Sequence, residues 1–265
     1  MLRTNIKGLS VAYQRTGRGP AIVLLHGFIQ DSRVWIPQLA DLSDRFTVIA
    51  WDAPGAGQSS DPPAGFAIGD WVDTLAALLD VETISHAHVV GLSWGGLLAQ
   101  ELYRRYPSRI SSLVLVDTYA GWAGSLGEPA AKQRLAACIR DSSLPARDLV
   151  TQYLPGMFSD HPPPAIRDRL AAIISDTHPT GFRLMATALA EGDTRDLLPR
   201  IKAPTLLIWG DADKRSPMNV AHQLERAIPG ARLAVLPGVG HVSNLEAAAA
   251  FNAILREFLI THSGS

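Results

Sequence analysis

The sequence predicts an α/β protein, a parallel sheet covered by helices on both faces and interrupted once by a helical insertion. Three observations carry this. Short apolar runs of β-type residues recur along the chain, helical patterns fill most gaps between them, and one long interval, 120–195, holds no convincing strand. Strands that alternate with helices form crossover units, which place helices on both faces of a parallel sheet.

The elements follow in order. Residues 10–17, SVAYQRTG, read as an amino-terminal strand. The runs 21–26 (AIVLLH), 46–52 (FTVIAWD), 87–92 (AHVVGL), 112–117 (SLVLVD), 204–210 (PTLLIWG) and 231–237 (ARLAVLP) read as further strands. They are near-continuously apolar rather than alternating, which predicts burial on both faces. Trp71, Leu75, Leu78 and Leu79 recur at helical spacing, so 69–80 reads as an amphipathic helix. Residues 94–106, 217–228 and 245–260 also read as helices. The interval 120–195 is rich in Ala, Leu, Arg and Asp, and Pro145, Pro155, Pro162 to Pro164 and Pro179 divide it. A structureless loop of that length is unusual in a compact domain. It reads as helices inserted in a core made of residues 1–119 and 196–265.

Composition narrows the function. The chain has 265 residues, 47% of them hydrophobic, which is ample for a sizeable core. A formal net charge of −1 creates no global field for nucleic acid or an anionic membrane. The single cysteine, Cys138, rules out an intrachain disulfide and fits a reducing compartment. The opening MLRTNIKGLSVAYQ has no long apolar stretch behind its basic residues, and does not read as a secretory signal. The apolar runs are too short to span a bilayer. These features read as a cytoplasmic globular protein with no nucleic-acid or membrane partner.

The sharpest motif is Gly91-Leu92-Ser93-Trp94-Gly95-Gly96, between the apolar run AHVV and the helical pattern LLAQELYRRY. That is the strand–turn–helix setting of a nucleophile elbow. A turn this tight strains the nucleophile's backbone, and glycines two residues to either side remove collisions with neighbouring elements. The helix that follows aims the positive end of its dipole at the same spot, which favours a developing oxyanion.

With this motif the chain resembles the α/β-hydrolase superfamily, in particular its capped serine esterase- and lactonase-like members, over nearly its whole length. The resemblance implies a mostly parallel sheet of about eight strands with 120–195 as a helical cap. Relatives with dehalogenase or epoxide-hydrolase activity carry aspartate at the elbow, so Ser93 argues against both chemistries. His26-Gly27-Phe28 matches the family's oxyanion loop. The resemblance therefore implies backbone N–H donors at Phe28 and Trp94. Gly210-Asp211-Ala212-Asp213 with Pro217 matches the family's acid motif, and Pro237-Gly238-Val239-Gly240-His241 its histidine motif. The expected triad is Ser93, Asp213 and His241, in the fold's order of serine, acid and histidine. Asp211 and Asp117 are rival acids. His26 and Asp52, the latter in Asp52-Ala53-Pro54-Gly55-Ala56-Gly57-Gln58-Ser59, read as structural.

A hydroxyl near neutral pH is a weak nucleophile and needs a base, which in turn needs an orienting acid. The expected reaction is acyl transfer to Ser93 followed by hydrolysis, with no metal and no organic cofactor. Neither zinc-ligand spacing nor a dinucleotide fingerprint is present. Candidate substrate-binding residues are Gln30, Trp122, Tyr153, Met157, Phe158, Phe182 and Met185, with Leu184 beside them. Their apolar character suggests an ester, thioester or lactone with an uncharged acyl part; Arg183 offers a carboxylate site instead. Carbon–carbon bond hydrolysis of a diketone, acyl transfer and perhydrolysis use the same triad. A non-catalytic ligand-binding protein is the remote alternative.

Overall fold

Each apolar run is followed within a few residues by Gly, Pro, Asp or Ser, residues that favour turns. Each run becomes a strand of one sheet. The computed structural model describes residues 1–160 and 162–263. The strands are β1 Leu2–Ile6, β2 Leu9–Thr16, β3 Ala21–Leu25, β4 Thr47–Trp51, β5 Ala87–Leu92, β6 Ile110–Val116, β7 Thr205–Gly210 and β8 Arg232–Leu236. Their order is β1-β2-β4-β3-β5-β6-β7-β8. β2 lies antiparallel to β1 and to β4, and all other pairs are parallel.

The helices are α1 Ile36–Leu42, α2 Ile68–Val81, α3 Trp94–Arg105, α4 Trp122–Leu126, α5 Glu128–Asp141, α6 Ala146–Tyr153, α7 Pro164–Ser175, α8 Pro179–Glu191, α9 Met218–Ala227, α10 Ser243–Glu246 and α11 Ala248–His262. Five of them, α4 to α8, lie between β6 and β7, and no strand interrupts them among the described residues. Prolines start rather than break these helices. Pro164 and Pro179 sit in first turns and Pro145 caps α6, where a missing N–H costs nothing. No helix among the described residues is long and apolar enough to cross a membrane.

Three details differ from the sequence reading. β1 was not anticipated. It is a mostly exposed edge strand joined to β2 by Lys7 and Gly8, whose φ values of 51° and 89° match a two-residue hairpin turn. The helix expected over 245–260 is two helices, because Ala247 leaves helical geometry at φ −123°, ψ 46°. β8, expected to be buried on both faces, is an edge strand in which Arg232 and Val235 are exposed. With a single neighbouring strand it cannot be enclosed as β3 to β7 are.

The order places β4 on one side of β3 and β5 on the other. The chain therefore changes winding direction around β3, and the loops leaving β3 and β5 diverge from a crevice at the carboxyl ends of the strands. Sheets of this kind bind ligands at such a crevice.

Candidate active site

Ser93 leaves β5 at φ 53°, ψ −113°, a conformation that costs a non-glycine residue energy. Close packing holds it there. A Cβ at Gly91 would lie 2.2 Å from the Gly95 carbonyl oxygen, and one at Gly95 would lie 2.3 Å from that of Leu25. Only glycines let strand, turn and helix approach this closely. Ser93 occupies the position before α3 but its side chain caps nothing. Its hydroxyl is free for another partner.

That partner is His241. The imidazole Nε2 lies 3.0 Å from Ser93 Oγ, and Nδ1 lies 2.7 Å from Asp213 Oδ2. A carboxylate can only accept, so Nδ1 carries the proton and Nε2 is left to accept from the Ser93 hydroxyl. The other oxygen of Asp213 accepts from the amides of Arg215 and Ser216, at 2.7 and 3.0 Å. These bonds hold the carboxylate in register. All three side chains are buried.

The rival acids are placed elsewhere. Asp211 is exposed and accepts from the Gly238 amide at 2.6 Å. Asp117 is buried and accepts from the Gly210 amide and the Ser243 hydroxyl, tying β6 to β7 and α10. Burial, and then the charge of Asp213, push the Asp117 carboxyl well above its usual pKa.

His26 bridges two loops. Its Nδ1 donates to the Gly27 carbonyl at 2.8 Å, and its Nε2 accepts from the Ala53 amide at 3.0 Å. Burial lowers its pKa, in keeping with a neutral ring that makes both bonds. Asp52 accepts from the amides of Ser32 and Gln58, both at 2.8 Å, and so pins the neighbouring turn. The amides of Phe28 and Trp94 have no hydrogen-bond acceptor among the described residues.

A cavity of about 40 Å³ surrounds Ser93 and His241. Trp122 of α4, Met157 beyond α6 and Leu189 of α8 close it from the inserted helices, and Phe28 closes it from the core. Tyr119, Arg134 and Arg215 complete the lining. Of the sequence candidates, Trp122 and Met157 reach this cavity. Tyr153 and Phe182 stop one layer out, their rings packed on Phe28 at centroid distances of 6.4 and 4.7 Å. Phe182, Met185 and Gln30 line a separate small cavity, while Gln30 Oε1 accepts from the Gly27 amide at 3.0 Å and braces the loop that carries Phe28. Phe158 lines a larger surface cavity, and Arg183 is not in the Ser93 lining. Sequence reasoning missed Tyr119, Arg134, Leu189 and Arg215. Arg215 stands two residues beyond Asp213, so its proximity was legible, but no motif marks the others.

A doubly wound sheet with a strained serine at the carboxyl end of a central strand is the architecture of the α/β hydrolases. The alpha/beta hydrolase family model matches residues 22–254, and the chain belongs to that family. It is 31% identical over 246 residues to 3-oxoadipate enol-lactonase 2 of Acinetobacter baylyi, covering 90% of each chain. It is 30% identical over 254 residues to 2-(acetamidomethylene)succinate hydrolase of Mesorhizobium japonicum, covering 91% of this chain and 88% of the relative. Among solved structures, a thermophilic esterase from Thermogutta terrifontis in a malate-bound form superposes with a TM-score of 0.89 at 29% identity, covering 98% of this chain and 97% of the other.

Proposed function

We propose that this hydrolase cleaves a carboxylic ester or lactone through an acyl-enzyme on Ser93. The observation that carries the proposal is the continuous hydrogen-bonded line from Asp213 through His241 to Ser93 at the start of α3. His241 takes the Ser93 proton as Oγ attacks the carbonyl carbon. The tetrahedral oxyanion sits against the amides of Phe28 and Trp94, each contributing about 3 kcal/mol of transition-state stabilisation. His241 then returns the proton to the departing alkoxide, which leaves as an alcohol or, from a lactone, as a tethered hydroxyl. A water deprotonated by His241 attacks the acyl carbon, Ser93 regains its proton and the carboxylic acid departs.

In this reading residues 1–119 and 196–265 hold the chemistry, and 120–195 form a cap that excludes water and shapes the small-molecule site. An enol-lactonase and an esterase among the relatives act on the same bond class. The test is covalent. A fluorophosphonate probe should label Ser93 in the folded protein, and p-nitrophenyl acetate turnover should disappear in Ser93→Ala. A folded protein that resists labelling and turns over no ester would sink the proposal.

A further inference from the structure

Three partly covered arginines elsewhere in this protein, Arg33, Arg104 and Arg256, sit against acids. Arg33 meets Asp31 and Asp176, Arg104 meets Glu101 and Asp196, and Arg256 meets Asp41 and Asp44. Two arginines in the Ser93 cavity do not. Among the described residues neither Arg134 nor Arg215 has a salt-bridge partner, and every acceptor they reach is neutral. Arg134 donates to the Tyr119 hydroxyl at 3.1 Å and to the Arg215 carbonyl at 3.3 Å. Arg215 donates from one terminal nitrogen to the carbonyls of Tyr153 and Pro155, at 2.5 and 3.2 Å. Its Nε is buried with no hydrogen-bond partner among the described residues.

The nearby acid cannot serve them. Both oxygens of Asp213 are engaged, one by His241 and the other by two backbone amides. Each guanidinium carries five N–H donors in a fixed fork. Two such groups facing one small cavity leave donors unused, and rings rather than a salt-bridged acid meet their charge, Arg134 over Tyr119 and Trp122 and Arg215 over Tyr153 at 5.6 to 5.8 Å. Burying an unpaired charge is costly, and the cost falls when an anion enters. Burial also lowers the Arg215 pKa from the usual arginine value, a second sign that this charge is poorly solvated.

We propose that Arg134 and Arg215 form a carboxylate-binding subsite beside Ser93, so that the preferred substrate is a short ester or lactone bearing its own carboxylate. The anion site stands on the arginines alone; the word substrate rests on the hydrolase reading above. A cavity of about 40 Å³ holds on the order of three water-sized positions, which suits a planar carboxylate on a short arm. The guanidinium fork matches that geometry through paired N–H donors. This replaces the uncharged acyl part that the apolar residues suggested, and moves the carboxylate site from Arg183 to this pair.

Two experiments separate the parts. In the first, succinate and its neutral analogue succinamide are titrated calorimetrically into the intact chain. Succinate should bind at least tenfold more tightly than succinamide. Arg134→Gln and Arg215→Gln should each cut that preference about tenfold, with Arg134→Lys retaining part of it. Equal binding of the two compounds, equal weakening of both in the variants, or tighter binding of inorganic phosphate than of succinate overturns the proposal. If Arg215→Gln fails to fold, because Arg215 also stitches the segment after α6 to the core, the Arg134 variants decide alone. In the second, proton release from monomethyl succinate and from dimethyl succinate is compared. The wild type should favour the monoester at least tenfold in kcat/KM, and Arg134→Gln should bring the ratio near one. Succinate preference without turnover of either ester upholds the anion site and counts against cleavage of a carboxylate-bearing ester. Turnover of the diester with no succinate preference upholds the hydrolase and removes the anion site.

Discussion

Histidines gather at both ends of the sheet, and the two groups differ in what they touch. At the carboxyl ends His241 lies between a buried carboxylate and a serine hydroxyl. At the opposite end His86, His88 and His262 line a cavity of about 290 Å³. There His88 is paired only with hydroxyls, Ser112 at 2.7 Å and Ser263 at 3.0 Å. Burial, aided by the charges of His262 and His86, pushes its pKa down to about 4. The same ring is oriented towards a serine hydroxyl where a carboxylate holds it, and is a neutral buried polar group where none does. Cavity size points the wrong way. The space beside Ser93 and His241 is about 40 Å³, whereas a cavity of about 670 Å³ lined from α6 and α7 has no histidine among its described lining residues.

The sharpest way to break this comparison is to remove each histidine's partner. His241→Ala should lower kcat for p-nitrophenyl acetate by at least ~10⁴-fold, since the members of a triad act as a unit. Asp213→Asn should cost ~10³- to 10⁴-fold by presenting the wrong tautomer to Ser93. Asp211→Asn and Asp117→Asn should each cost less than about tenfold, because neither carboxylate reaches the ring. An Asp117 or Asp211 variant as impaired as Asp213→Asn would reassign the acid.

At the other end the loss should appear in stability instead. The folded pKa of His88 lies below its unfolded value, so the fold favours the neutral ring. That contribution is complete above about pH 6.5 and is lost as pH falls towards 4, by up to ~3 kcal/mol. Urea unfolding at pH 7 and pH 4 should therefore show a smaller acid penalty in His88→Gln than in the wild type, with Ser93 labelling unaffected. An equal penalty in both proteins would show that His88 is not the titrating group. The smallest effect concerns the brace on the loop that carries Phe28. Gln30→Leu should lower kcat about tenfold with little change in KM, because a slight shift of the Phe28 amide weakens a contact made chiefly in the transition state.

Much of the site was legible because its residues lie at the ends of strands. Ser93, Phe28, Asp213 and His241 each follow an apolar run, and parallel strands deliver their carboxyl-end loops to one rim. The strand β1 and the break at Ala247 were not legible. An exposed edge strand has little hydrophobic pattern, and one residue's departure from helical geometry leaves no compositional trace. The pocket candidates in the insertion divided for a similar reason. Trp122 and Tyr153 are equally aromatic in the sequence, yet one lines the cavity and the other packs behind Phe28.

The sequence by itself determined the alternation of strand and helix, the elbow at Ser93 and the order of the three catalytic candidates, because these depend on local periodicity and on glycines that only a tight turn requires. The tertiary structure decided which acid meets His241, which side chains enclose Ser93, and that Arg134 and Arg215 share one cavity without a salt-bridge partner among the described residues. Those outcomes depend on how helices far apart in the chain pack over the rim of the sheet, and no local pattern encodes that packing.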